Sequence, residues 1–328
     1  MGELKSPTLH TPILFKRVLM ENELRNKAKE LLESGQVKTV IGYEVGSAPF
    51  KCTPLFAITP EDADRLVWNP SCVNNLAVYL PQAVKSGKVA IAVKPCDMKS
   101  VVELIKENKV KRDEVMTLVL PCPGVMNLDG LADVDLREIK SVEWQGDTIA
   151  LNGDKLPREQ VLLKKCLKCD IGESPLADIK LGEQPARTPQ AQNALVEEYE
   201  KMSPSERRDF WARQFSRCIR CYACRGACPG CYCNECFVDK FAQTWISKAT
   251  DPTTNWFFHT TRAMHLAGRC IGCGECERAC PMGIPISLLG RRLDIDVKEM
   301  FGTSPGEDPE ALPVLGTYDV KDPDPCPE

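Results

Sequence analysis

A short cysteine motif occurs twice in the C-terminal third of the chain and constrains its fold more than any other feature. The first copy is Cys218-x2-Cys221-x2-Cys224-x3-Cys228-Pro229, and the second is Cys270-x2-Cys273-x2-Cys276-x3-Cys280-Pro281. Three thiolates at this spacing fit on one tight loop around the corner of an iron–sulfur cube. The fourth Cys precedes Pro, a residue that favours a helix start, and so points away from its own loop. The motif therefore predicts two [4Fe–4S] clusters.

The fourth cysteine of each copy is predicted to bind the cluster of the other copy, as in two-cluster ferredoxins. Site 1 is then Cys218, Cys221, Cys224 and Cys280, and site 2 is Cys270, Cys273, Cys276 and Cys228. Gly272 and Gly274 let the backbone pass close to sulfur, where amide N–H groups can hydrogen-bond it. Zinc is the alternative metal, but zinc sites use four ligands in paired CxxC spacing, and two matched CxxCxxCxxxCP runs are not paired CxxC sites.

A further group of thiols, Cys231, Cys233 and Cys236, lies between the two copies. The two-cluster pattern does not require it. These thiols could hold three corners of another cluster, with Cys52 or Cys72 as the fourth ligand. They could also bind zinc or serve as alternative ligands. Together with the site in the N-terminal domain described below, the sequence thus predicts three clusters. It leaves undecided whether a fourth metal site is present.

Composition limits the class of protein. The chain has 328 residues, of which 18 are Cys, with a net charge of −4. This net negative charge does not indicate a basic surface that would bind nucleic acid. The longest apolar runs, such as residues 89–93 and 115–120, are far too short to span a membrane, and the N-terminus lacks the pattern of a signal peptide. We therefore expect a cytoplasmic protein without membrane insertion, whose thiols are reduced and available as metal ligands.

Apolar periodicity in the N-terminal half predicts alternating strands and helices. The predicted helices cover residues 14–33, 62–66, 73–85 and 98–108, the predicted strands 37–43, 88–93 and 114–120, and a predicted hairpin 142–151. Such alternation indicates an α/β sheet. A single helix is predicted over residues 193–214. The fold class is therefore an α/β N-terminal domain plus a mainly α, dicluster ferredoxin-like C-terminal domain. Its predicted segments are 1–185 (α/β domain), 186–215 (linker helix), 216–295 (helical two-cluster domain) and 296–328 (extended tail).

Four more cysteines are predicted to meet in the N-terminal domain. Cys96 and Cys122 follow neighbouring predicted strands, at the edge where ligands bind in open α/β sheets. Cys166-x2-Cys169 from a later loop can close the same place, which gives four thiolates. We name this set site 3; a redox-active or zinc-binding CxxC is the alternative.

Two stretches carry a family resemblance. Residues 87–125 ("GKVAIAVKPCDM…LPCPGV") and 165–182 ("KCLKCD…LADIKLG") are similar to the beta-subunit family of coenzyme F420-dependent hydrogenases and formate dehydrogenases. The resemblance, over roughly residues 25–185, implies FAD and a [4Fe–4S] cluster. It implies that the site 3 cysteines bind that cluster and that FAD lies near Lys94, Pro95 and Asp97. The two-cluster region resembles heterodisulfide reductase small subunits and succinate dehydrogenase iron–sulfur subunits.

The expected function is that of a flavo-iron–sulfur electron-transfer subunit, a non-autonomous oxidoreductase component without catalytic residues of its own. Expected partners are the catalytic subunit of a hydrogenase or formate dehydrogenase, or a heterodisulfide-reductase-like flavoprotein, with ferredoxin, F420 or NAD(H) as carrier. The alternatives are a flavin-free relay and docking subunit, and a zinc-stapled adaptor. No GxGxxG follows a strand, and no GxSxG, HExxH or P-loop is present. His259, in the segment leading to Cys270, is either an ordinary buried side chain or a donor to cluster sulfur.

Overall fold

The computed structural model describes residues 12–146, 148–167, 169, 171, 176–185, 194–240 and 246–316, without the side chains of 12–19 and 194–195. Its helices are α1 (Pro12–Glu33), α2 (Leu80–Ala83), α3 (Pro95–Lys106), α4 (Arg158–Val161), α5 (Lys164–Leu167), α6 (Ala194–Glu200), α7 (Pro204–Ser216), α8 (Ala223–Gly226), α9 (Pro252–His265), α10 (Glu275–Arg278) and α11 (Ser287–Phe301). Its strands are β1 (Thr39–Val45), β2 (Cys52–Ala57), β3 (Val89–Val93), β4 (Val115–Val119), β5 (Val142–Gln145), β6 (Thr148–Leu151), β7 (Asp154–Lys155) and β8 (Ile179–Lys180).

The N-terminal region is built on a five-stranded sheet in the order β2-β1-β3-β4-β8. β2 is antiparallel to β1, and the other neighbours are parallel. Every residue of β3 is buried, as expected for a parallel strand covered on both faces. Because Val93 pairs with Val119, β3 and β4 end at the same edge of the sheet. Their following loops carry Cys96 and Cys122 to that edge.

The predicted fold class is confirmed: a mixed α/β sheet precedes a helical region that contains the twin motif. The predicted β-hairpin is also present, as β5 and β6, and β7 extends it to a three-stranded sheet. The two outer strands of the main sheet, β2 and β8, were not predicted. They are an edge strand and a two-residue strand, and neither has the continuous apolar run that marked β3 and β4.

Two of the predicted helices differ in the structure. Residues 73–85 form only a 3-10 turn, the four-residue α2 and a second 3-10 turn, because Pro81 can begin a helix but not continue one. The helix predicted over residues 193–214 is two helices, α6 and α7. Ser203 caps α7 in a capping box with Glu206, and Pro204 follows it, which fixes a new helix start.

The helical region packs against α3 and its C-terminal end through two acids, the buried Glu103 and the half-buried Glu107. Glu107 accepts hydrogen bonds from Tyr232 Oη and from Arg269 Nε, both at 2.7 Å. Glu103 accepts one from the backbone N–H of Gly306 at 2.6 Å. Residues 304–306 are therefore buried, although residues 296–328 were predicted to be an extended tail; residues 317–328 and 186–193 lie outside the described residues. Among the described helices, none combines the length and the apolar character needed to cross a membrane.

Asp178 ties the segment before β8 to β4, and its removal should destabilise the sheet. It accepts hydrogen bonds from Thr117 N at 2.8 Å and Thr117 Oγ1 at 2.9 Å, and pairs with Arg112 at 2.5 Å. Burial raises the pKa of Asp178, but the hydrogen bonds from Arg112 and Thr117 outweigh it and lower that pKa overall. A carboxylate whose pKa is lowered in the folded state stabilises the fold at pH values above the ordinary pKa of Asp. This stabilisation is lost as the pH falls through the folded-state pKa, so it is fully present at pH 7.

We expect Asp178→Asn to lower the free energy of unfolding by about 1–2 kcal/mol at pH 7, since one partially exposed ion pair and two hydrogen bonds are weakened. Urea denaturation of the purified protein measures this. The matched control is Asp113→Asn, at an exposed position near the start of the same strand. Equal stability of both variants and the parent would show that Asp178 does not anchor this segment.

Candidate iron–sulfur sites

The four cysteines of site 1 lie together in the structure. Cys218, Cys221, Cys224 and Cys280 line one cavity. Cys280 comes from the second motif copy and reaches the other three because α10 packs beside α8. Cys221 is exposed and Cys224 is buried, and burial raises the pKa of Cys224 to about 11. Iron binds the thiolate, so ligation at this buried position must release a proton.

Site 2 is assembled in the same crossed manner. Its members Cys228, Cys270, Cys273 and Cys276 line a single cavity. Burial raises the pKa of Cys273 to about 12, whereas a hydrogen bond from Cys231 lowers the pKa of Cys228 to about 6. Gly290 of α11 lies against this site, and a Cβ there would be 2.5 Å from Cys270 Sγ. Only glycine therefore fits at position 290, where α11 passes close to Cys270.

The two motif loops share one backbone conformation. Gly272 and Gly274 have φ of 66° and 68°, in the left-handed region that glycine adopts readily. Arg220 and Tyr222 occupy the equivalent places in the first loop with φ of 47° and 59°. The Arg220 N–H donates to Cys218 Sγ at 3.4 Å, so backbone amides do approach sulfur. The repeat is thus structural as well as sequential, although only one copy carries the glycines.

Site 3 also gathers the residues predicted for it. One cavity is lined by Cys96 in the first turn of α3, Cys122 after β4, and Cys166 and Cys169. The N–H of Val125 donates to Cys166 Sγ at 3.5 Å. Burial raises the pKa of Cys96 well above its ordinary value. The sheet edge that carries Cys96 and Cys122 therefore meets the later loop that carries Cys166 and Cys169, as the predicted strand order implied.

The donor chemistry of all three sets fits a [4Fe–4S] cluster. Each set has four thiols around an enclosed space, and all twelve cysteines are free of disulfides. Within the described residues, no three His, Cys, Asp or Glu side chains are placed to hold a single metal ion. Four thiols arranged around a space can each bind a different iron of one cube, as cluster ligation requires.

The residues implied to lie near FAD do not fit a direct flavin contact. Lys94 Nζ donates to Tyr43 Oη at 2.8 Å and to the carbonyls of Cys72 and Asn74 at 3.0 and 2.9 Å. It also pairs with Asp97 at 2.6 Å, and both side chains are 1% exposed. Pro95 is buried and lines site 3. These three residues are buried in the core beside site 3, so they do not fit as flavin-binding residues there.

The thiols between the motif copies are not gathered into one ligand set. Cys231 hydrogen-bonds Cys228 of site 2, Cys236 hydrogen-bonds Arg225, and Cys233 is exposed. The two candidates for a fourth ligand are elsewhere: Cys52 and Cys72 hydrogen-bond each other in the N-terminal core. Cys231 is therefore a neighbour of site 2 in this arrangement.

Three side chains beside the sites stand out in the structure, and the sequence singled out only one of them. His259 Nε2 lies 3.3 Å from Cys218 Sγ, and its ring stacks on Phe215 with centroids 4.6 Å apart. Burial, and then Arg262, lower the pKa of His259 to about 4, so its imidazole is neutral at pH 7. Arg262 and Lys165, each buried beside cysteine ligands, were missed. Both lie in ordinary helical sequence, and the burial that distinguishes them comes from segments distant in the chain.

Three comparisons show which known proteins this chain resembles. Residues 217–285 match the family described as a 4Fe-4S dicluster domain. The F420-dependent formate dehydrogenase subunit beta of Methanocaldococcus jannaschii is 25% identical, with 88% of this chain and 92% of that protein covered. The F420-dependent formate dehydrogenase 1 subunit beta of Methanococcus maripaludis is 24% identical, with 88% and 91% covered.

A chain in a xenon-derivatised structure of the F420-reducing [NiFe] hydrogenase complex from Methanosarcina barkeri is also similar. Its sequence identity is 19% and the TM-score is 0.39, with 55% of this chain and 76% of that chain covered. The resemblance predicted from the N-terminal motifs is therefore confirmed by the two curated relatives. Over 88% of its length the chain is similar to the beta subunits of two F420-dependent formate dehydrogenases, and residues 217–285 match a 4Fe–4S dicluster domain.

Proposed function

We propose that this chain is an iron–sulfur electron-transfer subunit of an F420-dependent formate dehydrogenase-like or hydrogenase-like complex. The observation that carries the proposal is the presence of three sets of four thiols, each set around its own cavity. The relatives along most of the chain are subunits of formate dehydrogenases. [4Fe–4S] clusters in such sites supply one-electron oxidation and reduction.

The residues of this chain have a holding and tuning role in that function. Thiolates of the two motif loops and of site 3 would bind the iron atoms, and α3 fixes the helical region beside the sheet through Glu107. Backbone N–H groups near Cys218 and Cys166, and the His259 imidazole near Cys218, can stabilise added negative charge at sulfur. Three of the twelve ligand cysteines are buried and eight are half-buried, which limits water at the sites and so affects their potentials.

Whether the subunit uses FAD separates two versions of this function. The family resemblance favours a flavoprotein that accepts two electrons from F420, NAD(H) or another carrier and passes them on singly. The burial of Lys94, Pro95 and Asp97 favours the second version, a flavin-free relay and docking subunit. In both versions the chain works with a catalytic subunit in the cytoplasm, and turnover with the physiological acceptor requires that partner.

Metal, sulfide and flavin analysis of anaerobically purified protein tests the proposal. We expect about 12 iron atoms and an equal amount of acid-labile sulfide per chain, as three cubes require. An iron content near 8 atoms per chain would show that site 3 holds no cluster. Zinc in place of iron would overturn the whole proposal in favour of an adaptor protein held together by zinc. One FAD per chain would establish the flavoprotein version, and a flavin-free protein that supports full turnover of the complex would establish the relay.

A further inference from the structure

A buried lysine joins site 3 to site 2. Lys165 immediately precedes Cys166 of site 3, and its ammonium donates to the carbonyl oxygen of Cys273, a site 2 residue. It also lies 4.0 Å from the carboxylate of Glu275, whose own bidentate partner is Arg278. The Lys165 side chain is 12% exposed. Lys165 lies 108 residues before Cys273 in the chain, so its positive charge joins two sites that are distant in sequence.

A buried arginine occupies the corresponding position between site 2 and site 1. Arg262 of α9 donates from Nη2 to the carbonyl oxygen of Cys224, a site 1 residue, at 3.0 Å. The same side chain lines the site 2 cavity together with Cys228 and Cys276. Arg262 is 6% exposed, and its Nε has no hydrogen-bond partner in the structure. Its guanidinium is thus held between the thiols of site 1 and those of site 2.

We propose that the three sites form a linear series in the order 3–2–1, and that Lys165 and Arg262 are positioning residues that each raise the reduction potentials of the two sites they join. The proposal rests on the proposed function, because it requires clusters in all three sites. Its structural basis is that residues of site 2 take part in both contacts, which places site 2 in the middle of the series.

The physical reason is charge. A cluster gains one negative charge on reduction, and a fixed cation held in a region of low dielectric constant stabilises the reduced state. Burial makes this effect larger than for an exposed side chain, which solvent and salt would screen. A cation between two sites acts on both, so each substitution should have a signature of two affected sites and one unaffected site.

Redox titration of the intact protein, followed by electron paramagnetic resonance, tests this pattern. Arg262→Gln should lower the potentials of sites 1 and 2 and leave site 3 unchanged. Lys165→Gln should lower those of sites 3 and 2 and leave site 1 unchanged. We expect the ratio of reduced to oxidised cluster at a fixed potential to fall about tenfold at each affected site, equivalent to about 59 mV for a one-electron couple.

The control is Arg291→Gln. Arg291 Nη2 donates to the carbonyl of Gly272 at 2.9 Å, so this arginine contacts the site 2 loop from α11 and should affect site 2 alone. Arg262→Lys and Lys165→Arg keep the charge and should restore potentials close to those of the parent protein. They also separate charge from packing, because a purely structural role would not be rescued in this way.

Iron content distinguishes the possible failures. If the parent protein contains no iron–sulfur clusters, the proposed function is wrong. If the variants keep about 12 iron atoms but show unchanged potentials, the two cations do not raise the potentials, and if Arg262→Gln shifts site 3, the linear order is wrong; in both cases the proposed function stands. Should a glutamine variant lose a cluster, the charge-conserving variant of the same residue decides the outcome: its potentials must match those of the parent protein.

Discussion

Cys280→Ser is expected to remove the cluster of site 1 while site 2 keeps its own, although Cys280 belongs to the motif copy that supplies most of site 2. The structure places Cys280 in one cavity with Cys218, Cys221 and Cys224. Serine oxygen is a poorer ligand for iron than thiolate, since soft sulfur ligands suit iron–sulfur clusters. We expect iron to fall from about 12 to about 8 atoms per chain, with loss of one set of paramagnetic signals.

The same substitution should lower thermal stability. A cluster in site 1 would link residues 218–224 to residue 280, so its ligand binding energy would also be folding energy for the helical region. Cys228→Ser is the mirror variant and should remove the site 2 cluster instead. Cys233→Ser, at an exposed position outside the three sites, is the control and should change neither iron content nor stability. Loss of site 2 signals in Cys280→Ser would show that each copy binds its cluster with its own four cysteines.

Cys96→Ser and Cys169→Ser should each remove the same cluster, that of site 3, and leave the signals of the two motif sites intact. The two residues are far apart in the sequence but line one cavity. Each variant is expected to lose about four of about 12 iron atoms. Electron paramagnetic resonance of the reduced proteins identifies which signals remain.

Cys52→Ala serves as the control for these variants. Cys52 is a buried cysteine of the same region, 8% exposed, that hydrogen-bonds Asn69 at 3.4 Å and lies outside all three sites. It should keep the full iron content even if it lowers stability. The four-thiolate site would be refuted if Cys169→Ser left every cluster signal unchanged.

The sequence alone was sufficient for the local parts of this protein. Motif spacing predicted which thiols share a loop, because ligands separated by two residues can meet only on a tight turn. Apolar runs predicted β3 and β4, since a strand covered on both faces is mostly apolar. The meeting of Cys96 and Cys122 at one sheet edge followed from two parallel neighbouring strands. Iron binding at all of these cysteines stays a prediction until it is measured.

Local rules did not reach the features that depend on distant partners. β2 and β8 form because the sheet offers them an edge, and their own sequences are too short or too mixed to announce a strand. Cys231 belongs to the surroundings of Cys228 rather than to a separate triad with its neighbours in sequence. Arg262 and Lys165 look like ordinary charged helix residues until the opposing segments cover them.

The sequence thus predicted which residues bind iron, because ligand chemistry and loop spacing depend on a few adjacent positions. Only the tertiary structure decided how the sites stand relative to one another and which charges lie between them. Packing of α9 against the motif loops buries Arg262, and contact between α5 and the second loop buries Lys165. Burial turns these two charges from solvent-screened side chains into fixed parts of the sites, and burial is a property of the whole fold.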